Sequence, residues 1–444
     1  MSKQLNLDHL LSDLSLVEGL EIIKHPSERK RFSRDFFNYS PVLFEKLHQC
    51  CADVVLRPKS IEAVISVSKS CYRYQVPLTL RGSGTGNYGQ CVPVDGGAVM
   101  LMDALKEIRN FDASSGEVTV EPGCLLGHLD SFLAENKRQL RLLPSTWRTA
   151  SIGGFVAGGS GGIGSVRWGF LRDPGHLKAL EIVSVEEFPK VIKLDETSCE
   201  PLNHAYGTNG IITALTIATT SFEIWHEVTI DFDEFSDAIK ALKSCACAAI
   251  NIYLCSLLEQ EIIKSLPCWS GEFGGKHRLL ILVTSDGINT IKKIADSYKG
   301  GFKELGIEGS SNGLRELAWN HTTLHMRSTD SSWTYLQMLL PEPEIDAIEF
   351  INKRWKNDVL WHLEAVRQQG EQRVAALPLV RWKDRESLES LIADCRGIGA
   401  LIFNPHVITV EDGGLGIVDG AQVQAKRIFD PKGLLNPKKL KGWT

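Results

Sequence analysis

Between Ser151 and Gly169 the chain places eight glycines in nineteen residues: Gly153, Gly154, Gly158, Gly159, Gly161, Gly162, Gly164 and Gly169. No other stretch limits the possible folds so tightly. Each glycine gives up more backbone entropy on folding than any other residue. A globular protein keeps such a density only where a ligand or another backbone must come close. Ile152, Phe155 and Val156 lie among these glycines, so the segment is a packed, bent piece of the fold and not a linker.

A shorter glycine cluster precedes it. Gly84-Thr85-Gly86-Asn87-Tyr88-Gly89 fits the pattern G-x-G-x-x-G and follows the apolar run Val76-Pro77-Leu78-Thr79-Leu80. A dinucleotide fingerprint of that form must open a helix whose N-terminus faces the pyrophosphate. Here Pro93, Gly96 and Gly97 follow, and they argue against a helix. The reading that keeps the chemistry is a nest of backbone N–H groups around phosphate oxygens. Arg81 would add positive charge at its entrance. A flexible surface loop is the alternative for either cluster alone.

The rest of the chain sets the frame. Residues 1–48 read as a helical segment. A β-α-β unit follows: Asp53–Pro58 is a strand, Ser60 caps a helix carrying Ile61, Val64 and Ile65, and Val76–Leu80 is the next strand. Further strands are expected at 97–101, 116–123, 177–185 and 210–219, with a helix over 125–136. Beyond about 224 glycine thins out and tryptophans enter at Trp269, Trp319, Trp333, Trp355 and Trp361. With 444 residues, the chain suits more than one domain. The boundaries fall at 1–48, 49–223, 224–410 and 411–444.

A net charge of −5 gives no electrostatic case for nucleic acid or an anionic membrane. Asp8, Asp13 and Glu18 break the N-terminal apolar runs, against a signal peptide, and no run reaches the roughly 18 apolar residues of a membrane span. The eleven cysteines lack metal-ligand spacing, so reduced thiols and a cytoplasmic location are expected.

Several motifs recur in order: Arg57-Pro58, Val76-Pro77, Arg81-Gly82-Ser83-Gly84-Thr85-Gly86, Val120-Glu121-Pro122-Gly123, Pro144-Ser145, Ser151-Ile152-Gly153-Gly154 and Gly210-Ile211-Ile212-Thr213. Over residues 50–223 the chain thereby resembles the PCMH-type FAD-binding domain of the vanillyl-alcohol oxidase superfamily. The resemblance implies an α+β protein: a PCMH-type domain of two α/β subdomains, an α+β substrate or cap domain, and a C-terminal return to the FAD domain. It implies FAD as cofactor. Pro77, Arg81, Gly82, Ser83, Gly84, Thr85, Gly86, Asn87 and Gln90 would serve the pyrophosphate. Pro144, Ser145, Ser151, Gly153, Gly154, Gly158 and Ser165 would serve the ribityl chain and ring. Gly210 and Ile212 would lie at the adenine-ribose end, and Asn436 would join from the tail. Some relatives attach FAD through a histidine in the first loop. Gly84-Thr85-Gly86 has none, and the first cysteine after it is Cys91, so non-covalent FAD is expected.

The tail Asp430-Pro431-Lys432-Gly433-Leu434-Leu435-Asn436-Pro437 resembles the glycolate oxidase and D-lactate dehydrogenase branch. That branch implies hydride transfer from a CH–OH group of a small hydroxy acid or alcohol to flavin N5, with a base for the hydroxyl proton and an arginine for the carboxylate. The sequence departs from the branch twice. Its H-x-G-D-G-N-x-H stretch is missing, and Gly413, in Asp412-Gly413-Gly414-Leu415-Gly416, stands where the branch has a histidine. The base candidates are His321, His325 and His406, and the carboxylate candidates are Arg327 and Arg381. Against each stands a purely structural role, a satisfied histidine or a surface ion pair. His321 and His325 are spaced i, i+4 and could present both rings to a divalent metal, although no full ligand set is assigned. The electron acceptor could be oxygen, a quinone or a protein. Two further readings stay open: a flavin-dependent reductase, and a non-catalytic or electron-transfer FAD subunit of a complex.

Overall fold

The computed structural model describes residues 3–266, 269, 275–309 and 313–443. Its first sheet grows from the β-α-β unit. Ser60 is extended and its hydroxyl accepts from the Ala63 amide at 3.2 Å, which caps the helix Ile61–Tyr74. Gln75, in the left-handed region, ends that helix. Strands Val54–Pro58 and Leu78–Arg81 both pair in parallel with Ala98–Leu101 between them. The N-terminal region is not wholly helical as expected. Helices Lys3–Leu14, Pro26–Phe32 and Pro41–Leu47 are interrupted by a strand, Leu20–Ile23, which pairs antiparallel with Val54–Pro58. Four residues are too few to show a period of two, and this strand is stabilised by covering an open sheet edge.

The second sheet is antiparallel, in the order Ile108–Asp112, Glu117–Val120, Ile211–Ser221, Leu177–Val183, Val191–Asp195. Strand Arg138–Leu140 pairs beside the far end of Ile211–Ser221. The long glycine segment packs against this sheet and forms two short helices, Ile152–Gly158 and Ser165–Trp168. Propensity argues against helix there, and close backbone contact overrides it. The Gly153 amide donates to Pro122 O at 2.9 Å, and Ile163 and Leu143 exchange backbone hydrogen bonds. A Cβ on Gly153 would run into Pro122, and one on Gly162 into the Leu143 carbonyl. Much of the glycine density therefore serves packing.

Between Ser221 and Trp225 the chain passes into an antiparallel sheet of eight strands running from Gly301–Ile307 to Leu401–Ile402. Helices Phe235–Cys247, Ile288–Ser297, Glu344–Trp355 and Arg385–Gly397 share one core with it, around Ile230, Ile281, Leu363 and Trp361. The tail then returns to the first sheet. The Leu78 amide donates to Leu434 O and the Asn436 amide to Leu78 O, both at 2.8 Å. The turn that makes this possible is held by Asp430, which accepts from the Leu434 and Leu435 amides and pairs with buried Lys426 at 2.7 Å. Among the described residues no helix is long and apolar enough to cross a membrane.

Candidate active site

A cavity of about 890 Å³ runs between the two glycine segments and on to the eight-stranded sheet. It lies at the upper end of the roughly 300–1,000 Å³ of ligand pockets. The first loop forms one wall. No helix follows it, so the phosphate site is not of Rossmann type. The amides of Gly84, Thr85, Gly86 and Asn87 find no acceptor among the described residues. Donors left open toward one hollow form an anion nest. Arg81 does not face that hollow as a free charge. Its guanidinium turns back to Arg34 O at 2.5 Å, Cys91 Sγ at 3.2 Å and Ser83 O at 3.4 Å. Gly84 is needed here: its φ is +71° and a Cβ would strike that guanidinium. Asp35 and Phe36 also line the loop, with the Phe36 amide on Gly86 O at 2.8 Å. Burial pushes the Asp35 carboxyl up to about 6, against the opposing charges of Lys439 and Arg81.

Of the cofactor residues expected from sequence, Arg81, Gly82, Ser83, Gly84, Thr85, Gly86, Asn87, Gln90, Pro144, Ser145, Ser151, Gly153, Gly154, Gly158, Gly210 and Ile212 line the cavity. Pro77, Ser165 and Asn436 stand behind it. Pro77 O accepts from the Ala98 amide at 2.8 Å. Ser165 Oγ accepts from the Gly162 amide at 3.0 Å. Asn436 Nδ2 donates to Gln90 O at 2.7 Å and to Tyr206 O at 2.6 Å. These three shape the wall from outside.

Of the five catalytic candidates, only His321 reaches the cavity. It sits at the start of helix Asn320–Thr329, just after Trp319, whose φ of +52° is unusual for a bulky residue. The Trp319 amide is held by Glu364 Oε1 at 2.8 Å, and that carboxylate is itself bound by His362. This turn sets His321 Nδ1 3.2 Å from Glu316 Oε2, while Arg148 Nε holds Glu316 Oε1 at 2.8 Å. Burial works to raise the Glu316 pKa. Hydrogen bonds and charge from His321 and Arg148 outweigh it, holding the carboxyl below its ordinary range. A carboxylate on one ring nitrogen orients the imidazole and leaves Nε2 for a reacting group.

The other four candidates are engaged elsewhere. His325 Nε2 is 3.0 Å from Glu316 O. Its ring is 6.4 Å from that of His321, and among the described residues no group of three His, Cys, Asp or Glu is placed to hold a metal. His406 is buried, with Nδ1 2.7 Å from Ser40 Oγ and Nε2 2.9 Å from Tyr335 O. Arg327 donates to the Trp333 and Asn38 carbonyls and lies over Tyr39. Arg381 pairs with Asp330 and stacks on Trp333. These side chains bind their own fold, which spacing along the chain could not show.

The sequence reading missed Glu316, Asn320, Gln337, Tyr88 and Tyr206. Tyr88 hydroxyl donates to Gln337 Oε1 at 2.6 Å, and Gln337 Nε2 lies 3.4 Å from Asn320 Oδ1. Tyr206 lines the cavity and is only 3% exposed, and its hydroxyl has no partner among the described residues. A Cβ on Gly413 would lie 3.1 Å from that hydroxyl. Tyr88, inside the first glycine motif, was the one of these with a local signal.

Residues 52–186 match the family described as FAD binding domain. The chain is 30% identical over 191 residues to the mitochondrial D-2-hydroxyglutarate dehydrogenase of Danio rerio, covering 41% of this chain and 35% of that one. It is 30% identical over 138 residues to the glycolate oxidase subunit GlcD of Bacillus subtilis, 31% of this chain and 28% of that one. These matches thus span about a third of the relatives' length. Similarity to the D-lactate dehydrogenase of Archaeoglobus fulgidus is 23% over 417 residues, 87% of this chain and 91% of that one. In fold, the chain matches alkyldihydroxyacetonephosphate synthase with a TM-score of 0.74 at 15% identity, over 97% of this chain and 85% of that one. FAD is the cofactor of this chain, and the open amides of residues 84–87 suit its pyrophosphate.

Proposed function

We propose that this chain, a member of the PCMH-type FAD-binding superfamily, is an oxidoreductase that removes hydride and a proton from a CH–OH group of a small hydroxy acid or alcohol. Bound FAD supplies the hydride acceptor, its N5. The remaining work falls to the chain. Residues 49–223 hold the cofactor, with Gly84, Thr85, Gly86 and Asn87 around the phosphates. Pro144, Ser145, Ser151, Gly153, Gly154 and Gly158 border the rest of it. Residues 224–410 cover the substrate, and 411–444 close the cofactor domain.

The observation that carries this reading is the Glu316–His321 pair on the cavity wall. His321 Nε2 accepts the hydroxyl proton. Glu316 keeps Nδ1 as the donor nitrogen and stabilises the imidazolium that results. Arg148 keeps Glu316 ionised. The test is anaerobic bleaching of the purified yellow protein by a panel of hydroxy acids, alcohols, polyols and NADPH. His321→Gln should retain flavin and slow bleaching by about 10²–10⁴-fold, the span of general-base catalysis. Unchanged bleaching in that variant would remove His321 from the chemistry. Bleaching by NADPH alone would favour a reductase, and none with any compound a non-catalytic subunit.

A further inference from the structure

Between the first glycine motif and the cap sheet the cavity lining carries four neutral polar side chains. Asn320 and Gln337 project from the cap side, and Tyr88 and Tyr206 face them from the cofactor side. Tyr88 and Gln337 are already bonded, and Gln337 reaches Asn320. Open valences remain. Tyr206 offers a hydroxyl that both donates and accepts, and Asn320 offers amide hydrogens. The Tyr206 hydroxyl is buried and unpartnered among the described residues, a costly state unless something binds there. Its backbone is fixed from both sides, by its amide on Ala157 O at 2.8 Å and by Asn436 on its carbonyl.

Outside the open amides of residues 84–87, the charged side chains of the lining do not suit an anion. Among the described residues its basic side chains are Arg81, Arg172, His204, whose pKa burial lowers, and His321, which faces Glu316. Arg81 is spent on Arg34 O, Cys91 and Ser83 O, and Arg172 on Glu200 and Asp419. The carboxylates of Asp173, Glu411 and Asp419 add negative charge to the same lining. Residues 267, 268, 270–274 and 310–312 contain no Lys, Arg or His. A substrate carboxylate entering here would lose water without gaining an uncommitted guanidinium. A hydroxyl would meet matched donors and acceptors.

We infer that the substrate is an uncharged, polyhydroxylated molecule, a polyol or sugar alcohol, held through its hydroxyls by Tyr206, Asn320 and Gln337. This rests on the oxidoreductase reading and narrows it. Tyr206 is a specificity residue, acting on binding.

The test uses the flavin-loaded protein with xylitol and glycerol against D-lactate and glycolate. Under anaerobic conditions a polyol should bleach the flavin with kcat/KM at least about a hundred-fold above either acid, the scale set by burying an unpaired charge. Tyr206→Phe should raise KM for the polyol about tenfold while kcat changes less. Calorimetric binding of the polyol to the oxidised protein should weaken in parallel, which reads the contact without turnover. Gln337→Lys, checked for flavin content, should shift the ratio toward the acids. Acids that bleach as fast as polyols would overturn this inference and leave the oxidoreductase reading intact. Failure of both classes would overturn both. A Tyr206→Phe protein that keeps its flavin, KM and binding unchanged would remove Tyr206 from recognition.

Discussion

Lowering the pH from 7 to 4.5 should selectively weaken the native state through His406. The ring is buried and both nitrogens are used. Ser40 Oγ also accepts from the Leu43 amide at 3.1 Å, so its single hydrogen goes to His406 Nδ1, and Nε2–H donates to Tyr335 O. This pattern is complete for the neutral ring. Burial lowers the pKa from 6.5 to about 4, although the bond to the Tyr335 carbonyl opposes the shift. A folded pKa below the unfolded one means that the unfolded chain takes up the proton first. Stability from this group is therefore intact above pH 6.5, falls between 6.5 and 4, and falls no further below that. Integrating the linkage between pH 7 and 4.5 gives a loss of about 2 kcal/mol. Urea unfolding at several pH values, in the protein and in His406→Gln, measures it, since the other titrating groups cancel in the difference. The advantage of histidine over glutamine should shrink by about that amount on acidification. A constant difference across the range would refute the argument.

Three other outcomes are expected. Asp430→Ala leaves Lys426 buried without its counter-ion and strips the Leu434 and Leu435 amides of their acceptor. It should cost about 3–5 kcal/mol in urea unfolding, and the Lys426→Met, Asp430→Leu double variant should recover only the part due to the unpaired charge, since the two amides stay without an acceptor. Gly153→Ala forces a methyl against Pro122 and should destabilise by about 1–3 kcal/mol, lowering the flavin-to-protein ratio after gel filtration. Acid precipitation of the yellow protein should leave the colour in the supernatant, and a coloured pellet would show a covalent bond.

What the sequence revealed and what it hid divide along a physical line. Ser60 capping its helix, the apolar strand before Arg81 and the refusal of Pro93 to continue a helix are local, decided within a few residues. The first glycine loop was legible for the same reason: its function is its own backbone. The second was legible as dense packing but not as two helices, because what fixes it, Pro122 and the Leu143 carbonyl, comes from elsewhere. The catalytic candidates chosen by residue type alone lie away from the cavity lining. Arg327 and Arg381 had the right charge, yet each is absorbed by nearby carbonyls or carboxylates and a ring. His321 lies on the cavity wall where Trp319 reverses the chain and brings Glu316 beside it, a meeting that no helical or strand period announces. Asp35 and Phe36 were hidden inside a segment read as helix.

Asn436 links the tail to the cofactor loop from behind the cavity wall. Its side-chain amide donates at once to Gln90 O, at the end of the first glycine loop, and to Tyr206 O, beneath the open hydroxyl. Lys439, five residues from the Leu434 hydrogen bond to the first sheet, donates to Gly89 O in the same loop. One short stretch of chain thus fixes the anion nest and the Tyr206 hydroxyl with the same groups. A shift of the tail would move the two together, so the phosphate grip and the substrate chamber are set by a common support and not by two independent walls.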